Sequence, residues 1–247
     1  MKSFYLGLKF SFSYFSILPV SFKDSDDLSS KEILSVMVLS LPFVGAVLGL
    51  ITVAIYIFLL KDLGLYGAIV SAVIYMFLYG FLHTEAVLDV GDAIYASHSG
   101  KDAYKIIKEP IVGAMGVLYA FALVLLKVAG VSYMLLNSLF IEFITVLVVS
   151  RLSLVILFNI HKFRSSFATQ LKESISKRDY ILSLIFFISL LTIIDYSLTL
   201  IILFGILFSI AISFWIKRKI GFVNGDVLGA TLEIVETILF LLIAKLF

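Results

Sequence analysis

The 247-residue chain has no cysteine, three prolines and few charges, only 15% of its residues being Asp, Glu, Lys or Arg. Without cysteine there is no disulfide scaffold, no thiolate metal site and no cysteine nucleophile. Three prolines and fifteen glycines exclude a collagenous or low-complexity chain. A formal net charge of +2 gives little support to a nucleic-acid platform, and no nucleic acid is expected as a partner. What fills the chain is apolar: 62% hydrophobic residues, with a mean hydropathy of +1.14. A soluble domain is nearer ~45–50% apolar and ~25% charged. The excess is more than one soluble core of this size hides, so it needs lipid around it. The chain therefore reads as an all-α integral membrane protein.

A spanning helix takes about 20 apolar residues. Seven runs qualify, over 33–60, 64–84, 112–133, 134–160, 180–194, 197–216 and 227–247. Pro42 predicts a kink or tilt in the first. Asp195-Tyr196 predicts a tight turn between the fifth and sixth. Segment 4–20 is apolar and aromatic but carries Lys9, and within an N-terminal segment 1–32 it reads as interfacial or re-entrant. A cleaved signal peptide is the alternative, but no small-residue cleavage site follows it. Neither an internal repeat nor a separate soluble domain stands out, so 1–247 is expected to be one transmembrane domain.

Fifteen of the nineteen Lys and Arg residues fall in four segments: 1–32, 85–111, 161–178 and 217–226. Lys61, Lys127 and Lys245 fall to the other side, and Arg151 lies within a span. The bias predicts a multi-pass protein of the cell (inner) membrane with a cytoplasmic N-terminus. The long loops, and any active site on them, then face the cytoplasm, which suits an enzyme better than a channel.

The densest polar stretch is His83-Thr-Glu85-Ala-Val-Leu-Asp89-Val-Gly-Asp92, at the end of the second span. On a helix Glu85, Asp89 and Asp92 fall within about 60° of one another. Three like charges on one face repel unless a cation sits among them, and carboxylates with waters and phosphates are the usual shell of magnesium. The plainer reading is a solvated helix end. His83 points away from that face if the helix continues. Lys101, Lys105 and Lys108 repeat the same spacing opposite Ala103, Ile106 and Ile107, as in a short surface helix ended by Pro110. Its basic stripe suits substrate phosphates or anionic lipid. Asn224-Gly225-Asp226-Val-Leu-Gly229-Ala230 leads into the last span with Asp226 placed as an N-cap, and Glu233 and Glu236 follow inside the apolar run. Arg151 and Glu142 lie on opposite faces of one helix. By depth, Arg151 is expected against Glu233 or Glu236, or in a polar cavity between the helices. His98 and His161 lack metal-ligand spacing.

In this order the motifs resemble those of the cobalamin synthase (adenosylcobinamide-GDP ribazoletransferase) family. His83, Asp89 and Asp92 fall on its H-L-D-G-x-x-D-x-x-D-G stretch, with Glu85 for the first aspartate and Ala86 and Ala93 for the glycines. Lys108-Glu109, Gly113 and Gly116 fall on its K-D-S-R-x-G-x-x-G stretch, with Pro110-Ile111 in place of Ser-Arg. Residues 224–230 match its G-D-x-x-G-A stretch, and Leu18-Pro19 and Leu41-Pro42-Phe-Val-Gly45 resemble its N-terminal signals.

The resemblance implies a transferase that joins adenosylcobinamide-GDP to α-ribazole or its 5′-phosphate and releases GMP. It implies Mg²⁺ held by Glu85, Asp89, Asp92 and Asp226, with Glu85, Asp89, Asp92 and Lys108 catalytic. His83, Lys105, Arg151, Asn224, Glu233 and Glu236 are the expected substrate-binding residues. The basic 161–178 loop suits docking of another enzyme of the cobalamin pathway as well as lipid anchoring, and a second copy of the chain is a further candidate partner. Two rivals stand beside this reading. A CDP-alcohol phosphatidyltransferase also clusters aspartates, but its D-G-x-x-A-R…G-x-x-x-D-x-x-x-D pattern is absent. A small transporter or vitamin-binding membrane protein would use Arg151 and the buried acids.

Overall fold

The computed structural model describes residues 2–109 and 111–246, and every regular element among them is helical. The helices are α1 (Lys2–Phe15), α2 (Lys31–Leu39), α3 (Leu41–Ile55), α4 (Gly64–Leu78), α5 (Leu82–His98), α6 (Ala103–Lys108), α7 (Ala114–Leu136), α8 (Phe140–Ile160), α9 (Ser166–Ser174), α10 (Lys177–Ile194), α11 (Leu198–Ile220) and α12 (Gly225–Leu246). Pro110, expected to end the short basic helix, lies outside the described residues.

Five stretches are long and apolar enough to cross a membrane: Leu41–Leu78, Ala114–Leu136, Phe140–Ile160, Leu198–Ile220 and Gly225–Leu246. That is two fewer than the seven expected, for local reasons. Leu41–Leu78 has 38 residues, about 57 Å as one helix, but it folds back through a short π-helical and 3₁₀ turn ending at Gly64, whose φ is +56°. Gly45 and Tyr75, fifteen residues either side of Leu60, consequently both lie against Arg151. The other missing segment is α10, whose first turn holds Lys177, Arg178 and Asp179 and leaves a shorter apolar remainder.

Two local predictions hold. The first run breaks at Ser40, where Pro42 sits in the first turn of α3 and has no N–H to leave unbonded. Asp195 accepts from the Ser197 amide at 2.8 Å, forming the turn between α10 and α11. Segment 4–20 holds a helix, α1, that packs on α2 through Gly7, while Lys9 reaches the Ser21 carbonyl and lies 5.0 Å from the Phe22 ring.

The acidic stretch is not the tail of the second span. Gly80 (φ 65°) and Phe81 (φ 54°) break the chain after α4, so α5 takes its own direction. Residues 85–98 of the expected 85–111 loop are therefore part of a helix packed between α7 and α12. The 161–178 and 217–226 loops are also partly helical, containing α9 and the last turn of α11. The bundle centre is α8, buried from Thr145 to Phe158, with α12 beside it. The outer helices expose Leu118 and Phe121 of α7, Ile185 and Phe186 of α10, and Leu203 and Leu207 of α11. Such a surface needs hydrocarbon rather than water.

Candidate functional site

The site is built where α5 runs antiparallel to α12. Two contacts fix the register, the Thr84 hydroxyl donating to Glu233 Oε1 at 3.4 Å and Ala86 meeting Gly229, and they bring Asp89 near enough to Asp226 for the two charges to repel. Gly229 is small for a reason of contact, since a Cβ there would lie 2.8 Å from that of Ala86. The antiparallel register puts two sets of acids at different depths. Asp89 and Asp226 stand at the end of the bundle that carries α6 and α9, and Glu233 and Glu236 lie deeper along α12.

At the outer level the carboxylates have little cationic company. Burial, then the charges of Asp226, Glu85 and Asp92, push the Asp89 carboxyl up to about 6, and Lys108 pulls weakly the other way. The sequence places Asp226 as the cap of α12, but Asn224 fills that role. Its Oδ1 accepts from the Val227 amide at 3.1 Å while its Nδ2 donates to Asp226 Oδ2 at 2.6 Å. A cap bonds the second or third amide of its helix; Asn224, just before Gly225, reaches the third, whereas Asp226 is itself the second residue of α12. Asn224 thus fixes Asp226 instead of standing free for substrate.

Asp92 departs from the expected acidic face. Its Oδ2 accepts from the Gly113 amide at 2.6 Å and its Oδ1 from the Gly116 amide at 2.7 Å. Cβ atoms on either glycine would overlap that carboxylate, which is why both positions are glycine. Asp92 ties α5 to the start of α7, and its two oxygens are engaged there. Among the described residues no three carboxylate or imidazole groups gather closely enough to hold a metal ion by themselves. The expected four-carboxylate centre of Glu85, Asp89, Asp92 and Asp226 is therefore not assembled. What remains is the neighbouring pair Asp89 and Asp226, with Glu85 exposed one turn before Asp89.

The deeper level is balanced. Arg151 Nη1 donates to Glu236 Oε1 at 2.6 Å, the pairing that depth predicts. Lys127, expected outside the membrane, is instead buried in the middle of α7, 2.6 Å from Glu233 Oε2 and 2.7 Å from Glu236 Oε2. Tyr75 and Ser150 also donate to Glu236, at 2.9 and 2.8 Å, and the Tyr79 ring lies 4.9 Å from Lys127 Nζ. The charge count contained the missing signal: two buried glutamates require two buried cations, and Arg151 supplies one. Arg151, Glu233 and Glu236 are closed on one another and do not line the cavity described below, so the expectation that they bind substrate is corrected to a sealed ion cluster.

Beside the outer carboxylates lies a cavity of about 270 Å³ between α1, α5, α8, α9 and the start of α12. It gathers His83, Lys108, Asn224 and Asp226 from the expected residues. Lys105 is exposed on α6 and is not part of the lining, because α6 buries Ala103 and Ile107 instead. His83 is buried and held between Phe15 and Tyr79, with ring centroids 5.9 and 6.0 Å away. At the rim the Tyr14 phenol resists ionisation because of burial and the Asp226 charge. Sequence reasoning passed over Arg164. Its guanidinium lies 3.7 Å from the centre of the Tyr104 ring, and its amide bonds the Val223 carbonyl at 2.8 Å. The stack leaves the guanidinium edge available beside α6 and the 222–226 turn.

Residues 7–244 match the family model for cobalamin-5-phosphate synthase. Among curated proteins, the adenosylcobinamide-GDP ribazoletransferase of Clostridium perfringens (strain SM101 / Type A) is 28% identical over 246 residues, 96% of each chain. That of Clostridium tetani (strain Massachusetts / E88) is 31% identical over 205 residues, 79% of this chain and 80% of its own. The protein of the same name from Caldanaerobacter subterraneus is 29% identical over 212 residues, 81% of this chain and 83% of its own. No solved structure matches the chain.

Proposed function

The chain belongs to the cobalamin-5-phosphate synthase family, and we propose that it is a membrane-embedded adenosylcobinamide-GDP ribazoletransferase. A hydroxyl of α-ribazole, or of its 5′-phosphate, attacks the phosphorus bearing the cobinamide aminopropanol. The P–O bond to GMP breaks, and GMP leaves with the electron pair. The observation that carries this reading is the Asp226 carboxylate lining the cavity with Asp89 near it, neither in an ion pair among the described residues, while the deeper acids have two cations. Phosphoryl transfer asks a protein mainly for positioning and for opposing charge.

The donor set suits Mg²⁺. Magnesium is commonly held by one or two carboxylates plus substrate phosphates, and two neighbouring carboxylates with a raised Asp89 meet that description. Asp89 and Asp226 would hold it, with Glu85 in reserve and Asp92 committed first to its two amide bonds. When bound there, Mg²⁺ would neutralise charge on the pyrophosphate. The chain's own residues do the rest. Asn224 keeps Asp226 in place. Lys108 and the stacked Arg164 face the phosphates from the α6 side. Glu85, exposed on the same face as Asp89, receives the proton of the attacking hydroxyl and passes it to water.

The site faces the cytoplasm of a cell whose inner membrane holds the bundle. With Lys127 moved to the interior, fifteen cationic residues in the N-terminal, 85–111, 161–178 and 217–226 segments stand against Lys61 and Lys245 alone. The test is GMP release by the purified protein in liposomes, supplied with adenosylcobinamide-GDP and α-ribazole or its phosphate, with and without Mg²⁺. Magnesium-dependent release matched by a cobalamin product is expected. Folded protein that releases no GMP with either acceptor would overturn the reading.

A further inference from the structure

We propose that the cavity beside Asp226 seats the aromatic base of the acceptor, with His83 donating a hydrogen bond to the base's unsubstituted ring nitrogen. The inference rests on the transferase reading, which leaves open where each of two large substrates lies. Size narrows the choice. At about 270 Å³ the cavity falls just below the ~300–1,000 Å³ of drug-sized pockets. It accepts a two-ring base and excludes a corrin macrocycle.

The lining separates the two remaining candidates, the benzimidazole of ribazole and the guanine of the donor. Phe15, Leu82, Leu154, Phe158, Phe167 and Leu171 form apolar walls. Guanine carries donors and acceptors around its whole edge, and burying it against such walls would leave them unpaired. Benzimidazole carries one ring acceptor once its other nitrogen is bonded to ribose. Among these walls the cavity offers a matching group in His83. His83 is only 4% exposed, lines the cavity, and its ring nitrogens have no hydrogen-bond partner among the described residues. The amide of Asn224 is already engaged at both ends, and Ser165 caps α9 through the Ala168 amide. With the base inside, the ribose reaches the rim at Asp226 and Lys108, and its hydroxyl turns towards the outer carboxylates.

The experiment uses the full-length protein in liposomes, with Phe167→Ala, His83→Gln and His83→Phe variants and a riboside analogue in which the ring nitrogen is replaced by CH. Two readouts are taken: KM for each substrate, and equilibrium binding of radiolabelled α-ribazole without turnover. Phe167→Ala is expected to raise KM for α-ribazole about tenfold and leave KM for adenosylcobinamide-GDP unchanged. Wild type should prefer α-ribazole over the CH analogue by roughly 10–100-fold, and His83→Phe should abolish that preference, whereas His83→Gln should keep part of it. A rise confined to the donor KM, or competition by guanosine at the cavity, would assign the space to guanine and overturn the proposal. Equal use of both ribosides by wild type would also overturn it. Saturable α-ribazole binding that is lost in Phe167→Ala would uphold the seat even if no GMP were released, in which case only the transferase reading falls.

Discussion

Lys127 and Glu233, 106 positions apart in the sequence, meet at 2.6 Å in the interior. Their contact, with that of Arg151 and Glu236, makes a neutral cluster of four charged groups in a region where an unpaired charge is costly. Replacing Lys127 with Met leaves Glu233 without its cation. A loss of about 3–5 kcal/mol is expected, read as a fall in Tm of the detergent-purified protein. The double variant Lys127→Met/Glu233→Gln should recover most of it, and a double variant as unstable as the single one would show that the pair is not the source.

Asp92→Asn should damage the join between α5 and α7 rather than the handling of the cation. Lower Tm is expected, with the magnesium concentration for half-maximal activity unchanged in the protein that remains folded. Gly116→Ala should act on the same contact, so the two substitutions together should cost less than their sum. Full additivity in thermal melts would separate them.

Asp89 predicts the opposite sign. Its folded carboxyl sits at about 6, above the ordinary 3.8. Its contribution to stability is therefore fully present below 3.8 and is lost as pH rises through about 6. In EDTA at pH 7.5, Asp89→Asn should raise Tm by a few degrees, and the gain should vanish near pH 4. Magnesium should stabilise the wild type and have little effect on the variant, whose GMP release falls about 100-fold or more. A variant with full activity and unchanged magnesium dependence would remove Asp89 from the site.

Arg164→Ala should raise KM for adenosylcobinamide-GDP about tenfold. Arg164→Lys should restore less than half of that, because an ammonium cannot lie flat on Tyr104 as a guanidinium does. Equal kinetics for arginine and lysine would make the stack irrelevant to substrate binding.

The long apolar runs were legible because lipid demands one repeated solution, a helix with its backbone bonds closed on themselves. The pairing of Arg151 with Glu236 was legible from depth along two helices. The place of Lys127 was not, because charge counting treats a lysine as a surface residue unless its acids have been located first. Asp92 looked identical to Asp89 in spacing. Only the approach of Gly113 and Gly116 distinguishes a carboxylate used as a tie from one left open. The cap at Asn224 was missed by two residues, the ordinary scale of uncertainty at a helix end. The break at Gly80-Phe81 carried a glycine but needed a phenylalanine at positive φ, which composition does not announce.

The three-level register of α5 on α12 has a mechanical consequence. A helix advances 100° per residue, so a slip of one position would swing Asp226 away from Asp89. The same slip would pull Glu233 from Thr84 and Lys127 and bring a side chain against Ala86 where Gly229 now leaves room. The interior contacts thus act as an angular stop: they fix which way the outer acids point without touching anything that reacts there.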